Sequence, residues 1–356
     1  MRRIRQKMRT GGLVALASSL LAGVAMLSPT ATGSTAATGG EPPQFIVVSF
    51  DGGGSIPAWQ RWRTLASQVD ASMTFFLTGT YLVPEQKAYL YRPPGKRQGA
   101  SEVGFAAAEN VRPRMEQIRA ARAEGHEIGT HYNGHFCGST GVQRWSTADW
   151  LSEIRQFNSF LDNWRVNNNA TDVRPLGWDS GVIQGGRTPC LEGNRSAMYP
   201  AMVANGYRYD TSNSGSLRWP RKMANGMWDI PQQSLRMAGT GTSVLSMDYN
   251  FFERQSGAVN GAASRRPAWY SQVLNTYRNA YKAVYNGNRA PLILGAHFNT
   301  WNGGIYADAL YDFVKETCTK PNTRCVSFVE LIDWMESQPA SVLAKLQARP
   351  TQSMGY

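Results

Sequence analysis

The run Phe45-Ile46-Val47-Val48-Ser49-Phe50 leaves this chain few choices of fold. It lacks the apolar-polar alternation of a strand with one wet face, so it reads as buried on both faces, as strands of a parallel sheet are. Parallel neighbours need crossover connections, usually helices. The sequence supplies them. A stretch with helical character around Trp59, Trp62 and Leu65 leads to a second strand, Met73-Thr74-Phe75-Phe76-Leu77. Helical periodicity returns over 111–123 and 150–166, and the short apolar segment Glu127-Ile128-Gly129 predicts another strand end. Pro291-Leu292-Ile293-Leu294-Gly295-Ala296 predicts a further buried strand, with helices expected over 306–317 and 329–336. The alternation predicts an α/β architecture, a parallel barrel or sheet, in a single domain over 44–338 without internal repeats. A C-terminal tail, 339–356, is expected to carry a small surface helix.

Ahead of this domain, Arg2, Arg3, Arg5, Lys7 and Arg9 precede an apolar run over 11–27 and small residues around 31–40. That order predicts a secretory signal peptide with its linker, 1–38. The apolar run is short for a membrane span and no second one follows, so no stable membrane insertion is expected after cleavage. The expected location is secreted, extracellular or cell-wall associated. The formal charge is +12, and removing the five basic residues of the leader leaves +7. This positive balance suits acidic cell-wall polymers. It is spread along the chain and not gathered into Lys/Arg runs, which argues against nucleic-acid binding.

Four cysteines in a secreted chain predict two disulfides, with three possible connectivities. Cys318 and Cys325 bracket a short turn, and the simplest pairing closes it locally and leaves Cys137 for Cys190. A zinc site is the rival reading, but there is no CxxC and the cysteines lie far apart in sequence.

Two of the four histidines, His131 and His135, stand four residues apart, a spacing that lets two imidazoles converge on one divalent ion. In parallel α/β folds functional groups collect at the C-terminal ends of strands. Asp51 follows the first strand, His131 and His135 follow the Glu127 segment, and His297 follows the last strand. His126-Glu127 with His131 is not a zincin motif, because the second histidine comes one residue late; His126 reads as a structural histidine. Gly52-Gly53-Gly54 is followed by no Lys-Ser/Thr and completes no GxGxxG, so it reads as a tight turn with positive φ. Trp301, in the loop after His297, offers a face for stacking on a sugar ring. Asn169-Ala170-Thr171 is a formal glycosylation sequon.

These motifs resemble those of the polysaccharide deacetylase (NodB-homology) family of metal-dependent carbohydrate esterases, in particular its chitin-deacetylase-like branch. Ser49-Phe50-Asp51-Gly52-Gly53 is similar to the family's Thr-Phe-Asp-Asp-Gly. His131-Tyr132-Asn133-Gly134-His135 is similar to His-(Ser/Thr)-x-x-His, with Tyr132 in place of the hydroxyl residue. Arg187-Thr188-Pro189-Cys190 looks like Arg-x-Pro, Tyr209-Asp210-Thr211-Ser212 and the segment 227–231 look like the surroundings of the fourth motif, and Gly295-Ala296-His297 is similar to Leu-x-His. The likeness covers 45–336.

The resemblance implies a distorted (β/α) barrel of the NodB type that hydrolyses N-acetyl or O-acetyl groups of a cell-wall or chitin-like glycan with a divalent metal, zinc in most of the family. His131 and His135 would hold the metal, Asp51 would be the general base and His297 the general acid. Arg187 would orient Asp51, and Asp210 would stand behind His297 as its carboxylate partner. The backbone N–H at Cys190 would complete the oxyanion site, and Trp301 would bind substrate. The expected partner is an acetylated polysaccharide bound by a monomer. Two positions depart from the family. Gly52 replaces the Asp that is the third protein ligand, and Gly295 replaces a Leu that walls the acetyl pocket. Gly52 supports a second reading, a catalytically impaired glycan-binding protein on the same fold.

Overall fold

The computed structural model describes residues 40–354, so the segment read as signal peptide and linker lies outside the described residues. In chain order the first half holds β1 (Gln44–Gly52), α1 (Ile56–Gln68), β2 (Thr74–Leu77), α2 (Ala108–Ala123), β3 (Glu127–Thr130), α3 (Thr147–Asp162), α4 (Trp164–Asn167), β4 (Gly185–Gly186) and α5 (Arg195–Ala204). The second half holds β5 (Tyr209–Asp210), β6 (Ser214–Gly215), β7 (Arg221–Lys222), β8 (Trp228–Asp229), β9 (Gln232–Arg236), β10 (Ser243–Leu245), α6 (Asp248–Ser256), α7 (Arg266–Asn286), β11 (Leu292–His297), α8 (Ile305–Thr317), β12 (Thr323–Val326), α9 (Phe328–Ser337) and α10 (Ala340–Ala348).

β1 is the hub because its sequence can be buried on every side: Gln44 through Asp51 are all buried. Alternate residues feed two cores. Ile46, Val48 and Phe50 pack with Trp59 and Trp62 of α1, whereas Phe45 and Val47 pack with Trp219, Trp228 and Trp334. Each fully buried side chain of this kind contributes about 1.5–3 kcal/mol of transfer free energy. The main sheet runs β11-β1-β2-β3-β4-β5-β8-β7. β12 pairs with the first half of β1 on the edge that β2 takes further along. All these pairings are parallel except β7 with β8, and the sheet curls into a half-barrel ringed by helices, the distorted (β/α) barrel that the motifs imply. A small second sheet, β10-β9-β6, is tied to the first by a bridge between Met247 and Gly295.

Local chemistry sets the helix starts. Ser55 caps α1 with Pro57 in its first turn, and Ser146 with Asp149 and Ser327 with Glu330 form capping boxes on α3 and α9. The helix expected over 150–166 divides at Asn163 into α3 and α4. The C-terminal segment packs on the barrel, burying Leu346 and Met354. Among the described residues no helix is long and apolar enough to cross a membrane.

Candidate active site

Parallel pairing in register places Asp51 beside His297 at the ends of β1 and β11. Together with His131, His135 and Trp301 they line one cavity of about 780 Å³. Arg187, just after β4, is fully buried and donates from Nη1 to Asp51 Oδ1 at 2.8 Å and from Nη2 to Ser49 Oγ at 2.9 Å, with its guanidinium 4.8 Å from the centre of the Phe76 ring. Burial of Asp51 opposes its ionisation, but the charge and hydrogen bond of Arg187, with His297 nearby, outweigh it and hold the carboxyl below its ordinary range.

His131 follows β3 and its Nδ1 lies 2.8 Å from the Arg187 carbonyl. A carbonyl only accepts, so Nδ1 carries the proton and Nε2 keeps a lone pair. Burial pushes its pKa down to about 3 and that of His135 below the ordinary value too, so both rings are neutral. Their centroids are 5.2 Å apart. Two neutral imidazoles side by side are the donor chemistry that a divalent ion such as zinc takes. Gly52 adds nothing to it, and its φ of +93° puts it in a conformation that side chains rarely adopt. Among the described residues, the one trio of His, Cys, Asp or Glu with ligand atoms all within 4.8 Å of one another is His135, Cys137 and Cys190. Its two sulfurs are joined to each other.

Both disulfides have the pairing expected, Cys137–Cys190 and Cys318–Cys325. The first ties the histidine loop to the loop after Arg187, where Cys190 lines the cavity and Thr188 Oγ1 is buried with no hydrogen-bond partner among the described residues.

The carboxylate behind His297 is Asp248 and not Asp210. Asp248, the first residue of α6, accepts from the His297 backbone N–H at 2.7 Å through Oδ2, and its Oδ1 is 2.7 Å from His297 Nδ1. Burial works against a charged imidazole at His297, but the Asp248 carboxylate overcomes it and raises the pKa above the ordinary value. Asp210 accepts instead from Ser212, whose Oγ receives the Thr188 backbone N–H at 2.9 Å, and from Tyr199. It tethers the Arg187–Cys190 loop. The physical reason lies in the chain path: Met247 bridges to Gly295 and brings the start of α6 against β11, while Asp210 sits two strands beyond β3. Sequence reasoning missed Asp248. The only signal for it was an acid opening a helical stretch after a turn. At Gly295 a Cβ would lie 2.7 Å from Met247 Cε, the movable end of that side chain. Met247 and Leu245 line the cavity. Trp301 stacks on Phe252 with an interplanar angle of 7°, its ring centre 5.3 Å from that of His297. His126, by contrast, lies at the other end of β3, where its Nδ1 accepts from the Met73 N–H at 3.2 Å.

A curled parallel sheet with a carboxylate, three histidines and a buried arginine at its strand ends defines the class: the chain has the fold of the NodB-homology polysaccharide deacetylases. It is similar to the solved structure of a Mycobacterium smegmatis protein assigned as a polysaccharide deacetylase, at 14% identity and a TM-score of 0.51, covering 89% of this chain and 96% of that one. It is also similar to the chitin deacetylase of Colletotrichum lindemuthianum, at 12% identity and a TM-score of 0.42 over 88% and 93% of the two chains. A CE4 family pseudoenzyme from Bacillus anthracis matches at 10% identity and a TM-score of 0.43 over 83% and 68%. The first match carries the fold assignment. No protein-family model matches the chain.

Proposed function

We propose that this protein is a secreted, monomeric, metal-dependent deacetylase of an acetylated polysaccharide, acting on N-acetyl or O-acetyl groups of a cell-wall or chitin-like glycan. The observation that carries this reading is the paired placement of Asp51 and His297 at one cavity, with partners that drive their proton affinities in opposite directions. Asp51, held ionised by Arg187, accepts the proton of the attacking water. His297, held protonated by Asp248, gives a proton to the departing nitrogen or oxygen. His131 and His135 would hold a divalent ion, zinc by the chemistry of neutral imidazole donors, which when bound polarises the acetyl carbonyl and the water. The Cys190 backbone N–H and the unpartnered Thr188 hydroxyl are donors available to the acetyl oxygen, and Trp301 with the half-exposed Tyr249 gives the sugar an aromatic surface. Two disulfides and the basic, apolar leader support an extracellular setting.

A second reading rests on Gly52: with two protein ligands in place of three, the chain would be a glycan-binding protein with impaired catalysis. The two are separated by measuring acetate release from chitin oligosaccharides and acetylated xylan, with zinc added and after chelation. Zinc-restored release is expected. Glycan binding with no release at saturating zinc would leave the second reading standing.

A further inference from the structure

The His131–His135 loop is held in a conformation its own residues do not favour, since Tyr132 and His135 both adopt left-handed backbone angles with φ of 58°. Such residues persist only where the surroundings over-determine them. Here each backbone polar group from the His131 N–H to the Gly134 carbonyl, apart from the His131 carbonyl, has a partner. The N–H groups of His131 and Tyr132 go to Leu77 O and Thr130 Oγ1, and the Tyr132 and Asn133 carbonyls accept from Gly79 N and Thr80 Oγ1. The Gly134 carbonyl accepts from Glu102 N. The remaining two N–H groups point at a buried acid. Asn133 N donates to Glu153 Oε1 at 3.0 Å, and Gly134 N donates to the Tyr91 hydroxyl at 3.1 Å. That hydroxyl lies 2.9 Å from both Glu153 carboxyl oxygens, and the Asn133 side chain donates to the Glu153 carbonyl at 2.9 Å. Glu153 is 1% exposed and Tyr91 and Asn133 are fully buried, with no cation among the hydrogen-bond partners of the carboxyl group.

A carboxyl group buried in α3 without a cation is costly to keep for packing alone. Burial pushes its pKa up to about 7 against the hydrogen bonds it accepts. We infer that Glu153 and Tyr91 are positioning residues: they act through the Asn133 and Gly134 amides to fix the turn that carries both imidazoles. This rests on the proposed metal-dependent reading for its consequence, but the holding of the loop stands on geometry alone. Glu153 lies on α3 and Tyr91 on the segment after β2, so the metal pair is braced by parts of the chain that carry none of its ligands. The Tyr132 hydroxyl takes no part in this brace, being buried without a partner among the described residues.

The test compares full-length mature wild type, Tyr91→Phe, Glu153→Gln and the double variant by zinc competition with a chromophoric chelator and by hydrogen exchange of the metal-free proteins. Tyr91→Phe removes one oxygen and leaves the ring's packing, so it remains informative where Glu153→Gln fails to fold. Each single variant is expected to bind zinc about tenfold more weakly. The double variant should be little worse than the weaker single one, since both residues serve one network. The Asn133 and Gly134 amides should exchange faster while β1 amides keep their protection. Unchanged zinc affinity with unchanged loop exchange would overturn the inference, as would a uniform loss of protection across β1, which marks a merely structural acid. If wild type binds no zinc, the proposed activity falls, and the exchange measurement alone decides whether Glu153 and Tyr91 hold the loop.

Discussion

His131 and His297 line the same cavity, yet the two sides of the site treat an imidazole in opposite ways. On the β3–β4 side, the partner of His131 Nδ1 is a neutral carbonyl, so burial outweighs the charge of nearby Asp51 and the ring stays unprotonated, with its pKa down to about 3. On the β11–α6 side, the partner of His297 Nδ1 is a carboxylate, which overcomes burial and raises the pKa. One ring keeps a lone pair, as a metal ligand must; the other keeps a proton, as a general acid must. The histidine does not set its own role. The group behind it does.

The strongest way to break this division is at Asp51, the proposed base. Asp51→Asn should cut acetate release by about 10²–10⁴-fold while circular dichroism stays that of the wild type. Full activity in that variant would reduce Asp51 to a structural cap. The next largest effect falls on the His131 side through its staple. Cys137 and Cys190 are 53 residues apart, and removing that link by Cys137→Ser with Cys190→Ser should cost about 4 kcal/mol on a loop-closure model. Opening Cys318–Cys325, with a separation of 7, should cost about 2 kcal/mol. Urea unfolding of both variants checks the order, and equal losses would remove the special standing of the first bridge.

The pH profile tests the His297 side. Because Asp51 is held below the ordinary carboxylate range, its base form survives further into acid. Because His297 is held above the ordinary imidazole value, its acid form survives further into alkali. Activity is therefore expected to fall at low pH as Asp51 gains a proton and at high pH as His297 loses one. Asp248→Asn should move the alkaline limb to lower pH and lower the plateau by about 10–100-fold, whereas Asp210→Asn should leave that limb in place. A shift with Asp210→Asn and none with Asp248→Asn would reverse the assignment. The smallest effect concerns the missing ligand. An Asp at Gly52 would find space, its Cβ 3.6 Å from Tyr81 Cε2, but at a φ of +93° it should cost about 1 kcal/mol in stability. Tighter zinc binding alongside that loss is expected from Gly52→Asp; zinc affinity that does not rise would mean the vacant position lies elsewhere.

Much of this site was legible before any coordinates. Asp51 and His297 each follow an apolar run whose character as a buried strand needs only local pattern, whereas His131 follows only the short segment Glu127-Ile128-Gly129. The two-residue strands β4, β5 and β8 carry no such pattern, because Gly185, Gly186, Tyr209 and Asp210 hold too few positions to show a period. The 21-residue helix α7 has a diluted pattern, since Thr276, Tyr277, Ala280 and Tyr281 share its buried face with Val273, Leu274 and Val284.

The sequence by itself determined the parallel strands, the local pairing of Cys318 with Cys325, and the histidine pair four residues apart, since each depends on neighbours in the chain. The tertiary structure alone decided which carboxylate stands behind His297. Nothing in the chain around Asp210 or Asp248 ties either one to a residue as far along as His297. Which one arrives depends on the second sheet docking Met247 against the bare backbone of Gly295, a contact between segments 48 residues apart that no local pattern encodes.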